Sequence, residues 1–321
     1  IHITEPKDYS QEAIRTYQSI GEVAKGTISA AEKKHVFAVV IRLGKQIDEM
    51  WLQDYPNLRF IITPTTALTH IDTTLCEMLN IRILSLADIR EALTPITATS
   101  ELAFGLILSL IRHIPAACKH VEENGWNRDK FRGTQLIGKT LGIVGLGRLG
   151  SQVARYGEAF GLKIKACDSN SNNENFRKLN LKSFTFEDVI RSSDIVSLHI
   201  NETESNKLLF SIIALSSMKQ GALLVNTSRG SLVDEHSILA HLESGHLGGY
   251  ATDVIQDEHN LSQSSLLHAV SKYENLIITP HIGGCTIESM NQTELLIAEK
   301  FLKIFSNRKG VIDEHDVLSN R

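Results

Sequence analysis

The sequence predicts an α/β protein built on parallel sheets, and three features predict it. Short apolar runs alternate with amphipathic stretches through almost the whole of the 321 residues, a rhythm that joins parallel strands through helical crossovers. Six of these runs lie between Thr140 and Thr279, enough for one complete doubly wound domain. Between the first of them and a helical pattern stand Gly145, Gly147 and Gly150 in G-x-G-x-x-G spacing, which marks a tight strand-to-helix turn.

In chain order, the strand candidates of the first part are Ile1 to Thr4, Val36 to Leu43, Leu58 to Thr63 and Ile81 to Ser85. Amphipathic stretches such as Gln11 to Val23 and Ile71 to Leu79 separate them, at the spacing of helices. A long helix is expected from about Thr99 to Glu123, interrupted near Pro115 and closed by Asn124 and Gly125, since proline removes a helical donor and glycine readily ends a helix. Strands follow at Thr140 to Val144, Leu162 to Cys167, Ile195 to Ile200, Ala222 to Asn226, Gly249 to Val254 and Leu276 to Thr279. A last amphipathic helix, about Thr286 to Phe305, is expected to return to the N-terminal segment, whose few strands need further cover.

A chain of this length suggests about two domains of roughly 100 to 200 residues each, and 42% hydrophobic residues suffices for substantial cores. The 33 basic and 37 acidic residues are interspersed, for a net charge of -4. No basic block stands ready to neutralise a phosphate backbone, so nucleic acid is not expected as a partner. Cys76, Cys118, Cys167 and Cys285 lie far apart without a CxxC, which indicates neither a disulfide framework nor a zinc knuckle and fits a reducing cytoplasm. The most apolar run, Leu102 to Ile111, is about half of what a bilayer span needs and reads as a buried helix, with no membrane partner expected. The opening IHITEPKDYS has neither the basic nor the apolar region of a signal peptide.

Three glycines at this spacing are weak evidence alone; their setting is stronger. An apolar strand precedes them, a helical pattern from Leu149 to Phe160 follows, and the next strand ends at Asp168, 23 residues after Gly145. Gly145 permits the tight turn, Gly147 lets the backbone approach a pyrophosphate, and Gly150 lets helix and strand pack closely. Asp168 can accept hydrogen bonds from both ribose hydroxyls and repel a 2'-phosphate, which favours NAD over NADP.

Three polar residues of the second half stand just beyond apolar strands, where an open α/β sheet holds its ligands. Arg229 follows LLVN, Glu258 follows GYAT and Asp253, and His281 follows LIITP. An arginine after a strand usually lies on a loop in water, and a lone histidine there is more often structural than catalytic. Three such residues at corresponding strand ends are harder to dismiss. Reduction of a 2-oxo acid needs a proton donor for the carbonyl oxygen, which histidine supplies near working pH. A neighbouring carboxylate orients the ring and favours imidazolium, and an arginine fork can hold the substrate carboxylate. Asp257, Glu258 and His259 adjoin, but successive side chains do not converge, and no metal is expected.

The stretches TSELAFGLILSLIR, GKTLGIVGLGRLGSQVA, VSLHINETESNKLL, GALLVNTSRGSLVDE, GGYATDVIQDE and NLIITPHIGGCTIES together resemble the D-isomer-specific 2-hydroxyacid dehydrogenase family, over nearly the whole chain. The resemblance implies two Rossmann-like domains with parallel sheets. Residues 1–97 plus 286–321 would form the substrate domain, from both chain ends, and 98–285 the NAD-binding domain. It places the family's catalytic Arg, Glu and His on Arg229, Glu258 and His281. Asp253 matches the acid facing the nicotinamide carboxamide, Arg148 and Leu149 the loop over the pyrophosphate, and His199, Thr227 and Gly284 further cofactor neighbours. It also implies a phosphoglycerate dehydrogenase-like, NAD-dependent enzyme acting on a small 2-oxo or 2-hydroxy acid, as a homodimer formed with help from the long helix after Thr99.

Two positions depart from the family pattern. Asn201 replaces a proline of the cofactor-side loop. In TPTTALTHID, Thr65 and Ala67 stand where the family offers glycines to the substrate carboxylate, with Thr66 between them. This leaves the acid itself open. Two other readings share the fold: an NAD-sensing scaffold like the corepressors that resemble this family, and a formate dehydrogenase, in which Glu258 would be expected to be Gln.

Overall fold

A computed structural model describes residues 1–309. Residues 310–321 of the expected C-terminal domain segment lie outside the described residues. The chain divides into two compact units, Ile1–Ile96 with the segment beginning at Thr286, and Thr97–Cys285. Each carries one parallel sheet flanked by helices, so both are α/β units of the expected class.

The first unit holds β1 (His2–Ile3), β2 (Ala24–Lys25), β3 (Ala38–Val40), β4 (Phe60–Ile62) and β5 (Arg82–Leu84) in the order β2-β1-β3-β4-β5. The two-residue β2 was not expected, because an edge strand reading Ala-Lys carries no apolar pattern. The helix Ile287–Lys309 packs on the helix Gln11–Gln18. Tyr17, Ile297 and Phe301 join Ile3, Val40 and Ile62 in one core. Glu294, 1% exposed, accepts from the Ser10 amide at 2.7 Å and pairs with Arg42. The last helix thereby covers one face of the small sheet.

The second unit holds β6 (Thr140–Val144), β7 (Lys163–Cys167), β8 (Ile195–Leu198), β9 (Ala222–Asn226), β10 (Leu247–Thr252) and β11 (Leu276–Ile278), in the order β11-β10-β9-β8-β6-β7. The chain starts at β6, steps outward to β7, then returns across β6 to β8 and proceeds the other way. The order therefore reverses between β6 and β8, which opens a crevice at the strand ends there.

The expected long helix is two helices, Ala98–Ile111 and Ile114–Glu122. The break falls at His113, whose φ of 54° is left-handed. Pro115 lies in the first turn of the second helix, where its missing N–H costs nothing. Ala103, Phe104, Ile107 and Leu110 of the first helix are buried in the same core as Leu141 and Ile143 of β6. Among the described residues no single helix is long and apolar enough to cross a membrane.

Candidate active site

Because all strands of the second unit are parallel, their C-terminal ends share one sheet edge. Gly145 follows β6, Asp168 β7, His199 β8, Thr227 β9, Asp253 β10, and Thr279 to His281 follow β11. Gly145 has φ of +95°, and a Cβ there would meet the His199 carbonyl oxygen at 2.5 Å. Both facts demand glycine. A Cβ on Gly150 would lie 2.0 Å from the Gly145 carbonyl oxygen, so the turn and the helix Arg148–Ala159 close on each other. Gly147, at the helix N-terminus, has nothing within 4 Å of such a Cβ. The backbone there is open to an anion, beside the half-buried Arg148 and Leu149.

Asp168 is fixed rather than loose. Its Oδ2 accepts from the Leu146 amide at 2.9 Å and from Asn173 Nδ2 at 3.3 Å, and its Oδ1 from the Asn170 amide at 3.0 Å. The Leu146 carbonyl in turn accepts from Asn173 and Asn175 side chains at 3.1 and 2.8 Å. The glycine turn and the Asp168 turn are thus clamped together by two asparagines that no sequence pattern singled out.

His199 and Thr227 stand one residue beyond neighbouring strands, where Leu198 pairs with Asn226. His199 Nε2 bonds Ser197 Oγ at 2.9 Å. Its Nδ1 and the Thr227 hydroxyl are covered and lack a partner among the described residues. Two orphaned polar atoms and an unobstructed Gly147 on one edge suit a bound dinucleotide. Burial pushes the His199 imidazole down to about 3. Between that value and an ordinary histidine value of about 6.5, the unfolded chain binds the extra proton, so this residue's contribution is intact above the window and is lost as pH falls through it. His199→Gln should therefore shrink the fall in urea midpoint between about pH 7 and about pH 5. An unchanged difference between the two midpoints would show that His199 is not buried neutral.

Arg229 leaves β9 through a loop pinned by Asn226, whose Nδ2 donates to the Arg229 carbonyl at 2.8 Å and whose Oδ1 accepts from the Ser228 amide at 2.9 Å. The guanidinium donates through Nη1 to the Ser228 carbonyl. Burial lowers its proton affinity, while the Glu258 and Glu202 carboxylates pull the other way without closing an ion pair. It is a partly buried cation with donors to spare. His281 Nδ1 meets Glu258 Oε2 at 2.6 Å, which leaves Nε2 to act elsewhere.

His281 sits at a left-handed φ of 53°, unusual for a residue with a Cβ. Its amide donates to the Asp253 carbonyl at 2.9 Å. The Asp253 carboxylate accepts from Thr279 Oγ1 at 2.6 Å and from the Ile282 and Gly283 amides at 2.8 and 2.7 Å. Burial still raises its pKa. Asp253 thus holds the histidine loop, a task its position in the sequence did not reveal. Gly284 is exposed, with open space where a Cβ would point. A cavity of about 390 Å³ lies at Glu258 and His281, walled by Ile255, Leu267 and Ile278.

Thr65, Thr66 and Ala67 belong to the first unit, just beyond β4. Thr65 Oγ1 bonds Thr63 Oγ1 at 3.0 Å and donates to the Ala67 carbonyl at 2.8 Å, so the hydroxyl closes the loop on itself. Asn201 uses its carbonyl to accept from Asn206 Nδ2 at 2.8 Å. Among the described residues no group of three or more His, Cys, Asp or Glu could hold a metal ion.

The family model described as D-isomer specific 2-hydroxyacid dehydrogenase, NAD binding domain, matches residues 104–283. A D-3-phosphoglycerate dehydrogenase of Bacillus subtilis is 31% identical over 88% of this chain and 52% of its own, so the chain spans about half the length of that relative. A glyoxylate reductase of Aeropyrum pernix is 31% identical over 83% of this chain and 78% of its own. The solved D-lactate dehydrogenase from Aquifex aeolicus, complexed with NAD and lactic acid, superposes with a TM-score of 0.75 at 26% identity, covering 96% of this chain and 95% of that one.

Proposed function

Since the chain belongs to the D-isomer specific 2-hydroxyacid dehydrogenase family, we propose that it is an NAD-dependent, phosphoglycerate dehydrogenase-like reductase of a small 2-oxo acid. The observation that carries this reading is the 2.6 Å Glu258–His281 pair on the same sheet edge as the partly buried Arg229. Gly145, Gly147, Arg148, Leu149, Gly150, Asp168, His199, Thr227, Asp253 and Gly284 would hold NADH, which would supply the hydride when bound. His281 gives the proton to the carbonyl oxygen, Glu258 orients the imidazole through Nδ1, and Arg229 fixes the carboxylate. Thr65, Thr66 and Ala67 of the first unit are proposed as substrate-binding residues.

The proposal includes a cytoplasmic homodimer. The helix Ala98–Ile111 is largely spent on its own core. Ile114, Val121, Trp126 and Ile137, at 45, 51, 90 and 71% exposed, are better candidates for self-association.

The test is a panel of 2-oxo acids with NADH and with NADPH. Turnover of at least one acid is expected. Asp168 is hydrogen-bonded through both oxygens and cannot swing aside readily, so NADPH should be poorer by at least about tenfold in kcat/KM, roughly 1.4 kcal/mol. Equal kcat/KM for the two cofactors would remove Asp168 as the discriminator. NADH binding without turnover of any acid would favour the NAD-sensing scaffold.

A further inference from the structure

Glu235 has no part in the chemistry proposed above, yet it is 4% exposed. An acid so buried needs partners, and its partners are informative. Oε1 accepts from the Gln256 amide at 2.8 Å, and Oε2 accepts from the hydroxyls of Ser264 and Ser265 at 3.4 and 3.3 Å. These residues are the two ends of the loop that carries Glu258. Gln256 lies two residues before it, and Ser264 caps the helix Ser265–Ala269 that closes the loop.

The other end of the same short stretch presses on the same loop. A Cβ on Gly230 would fall 2.0 Å from the Ile255 carbonyl carbon and 2.4 Å from the Gln256 nitrogen. Residues 229–235 therefore hold Arg229 at one end and grip the base of the Glu258 loop with both Gly230 and Glu235.

We propose that Glu235 is a positioning residue for the Glu258–His281 pair, its buried carboxylate tying together both ends of the Glu258 loop and fixing that loop against the segment that bears Arg229. The inference rests on the dehydrogenase reading for its kinetic consequence but not for its geometry. Without the anchor, Glu258 spends less time on His281 Nδ1, and the imidazolium loses its partner.

The experiment compares Glu235→Ala, Glu235→Gln, Glu258→Gln and the Glu235→Ala/Glu258→Gln double variant in the full chain. Glu235→Ala should lower kcat/KM for 2-oxo acid reduction on the order of 10-fold to 10²-fold, as small misplacements of reacting groups do. The falling limb of its pH profile should move to lower pH, and NADH affinity should stay within about twofold. Glu235→Gln keeps an acceptor for the Gln256 amide and should recover most of the loss. In the Glu258→Gln background, Glu235→Ala should move the pH limb no further, because the group it positions is gone. A Glu235→Ala limb that coincides with wild type, or fully additive effects in the double variant, would overturn the proposal.

Should Glu235→Ala fail to fold, Glu235→Gln with Ser265→Ala removes the charge and one loop contact and should show the same movement, smaller. If wild type reduces no 2-oxo acid, the dehydrogenase reading fails by itself. The anchor is then judged by NMR titration of the His281 ring in cofactor-free protein. A lower midpoint in the variant supports the anchor, and an unchanged one overturns it.

Discussion

Arg229→Lys is expected to lose about 10²-fold or more in kcat/KM for 2-oxo acid reduction while NADH affinity barely changes, although the charge is kept. A lysine ammonium is a point charge and cannot reproduce two parallel donors to a carboxylate. Hydrogen bonds to charged groups contribute about 1.5–3 kcal/mol each, and about 1.4 kcal/mol is tenfold. The loop supports this expectation. Asn226 pins the backbone on both sides of Ser228, so it cannot shift to bring a shorter head group into place. Nη1 is already committed to the Ser228 carbonyl, which sets the plane of the fork and aims its other edge. A Lys variant with near-normal kcat/KM would return Arg229 to the ordinary role of a loop cation. Its partial burial would then need another explanation.

The contrast between what could and could not be read from the sequence has a physical basis. β9 was legible because a strand covered on both faces must be continuously apolar, and Ala222 to Val225 is. The glycine turn was legible because only glycine fits φ of +95° at Gly145. β2 was not, since two residues at an edge bury too little to leave a pattern. The supporting polar residues were invisible for a different reason. Glu235, Asn173 and Asn175 carry no pattern of their own in the sequence, and Asp253, matched there to the cofactor side, gave no sign of holding the His281 loop. Their meaning comes from partners 20 to 30 residues away, such as Gln256 for Glu235 and Leu146 for Asn173. His241 and His246 are likewise partly buried and bonded to the Ser237 and Leu215 carbonyls, contacts that no sequence pattern shows. Periodicity reports burial along an element; it does not report which loop a buried carboxylate will hold.

His281→Ala is expected to cost on the order of 10²-fold or more in reduction rate, because it removes the proton donor, while NADH binding remains. Glu258→Gln is the more discriminating variant. Its amide keeps the size of the side chain and can still meet His281 Nδ1, now at 2.6 Å from a carboxylate oxygen, but it brings no negative charge. In reduction the ring must begin protonated. Losing the carboxylate makes that form less favourable at every pH, so the reduction rate should begin to fall at lower pH than in wild type. Oxidation of the hydroxy acid needs the ring neutral at the start, so the rising limb of that profile should move in the same direction. A general loss of structure would lower both rates without displacing either limb. The left-handed His281 backbone is held separately, by Asp253 and the Thr279, Ile282 and Gly283 donors around it, so Glu258→Gln should leave the loop in place. If the Gln variant keeps both wild-type limbs, Glu258 does not tune His281, and the short contact between them only orients the ring.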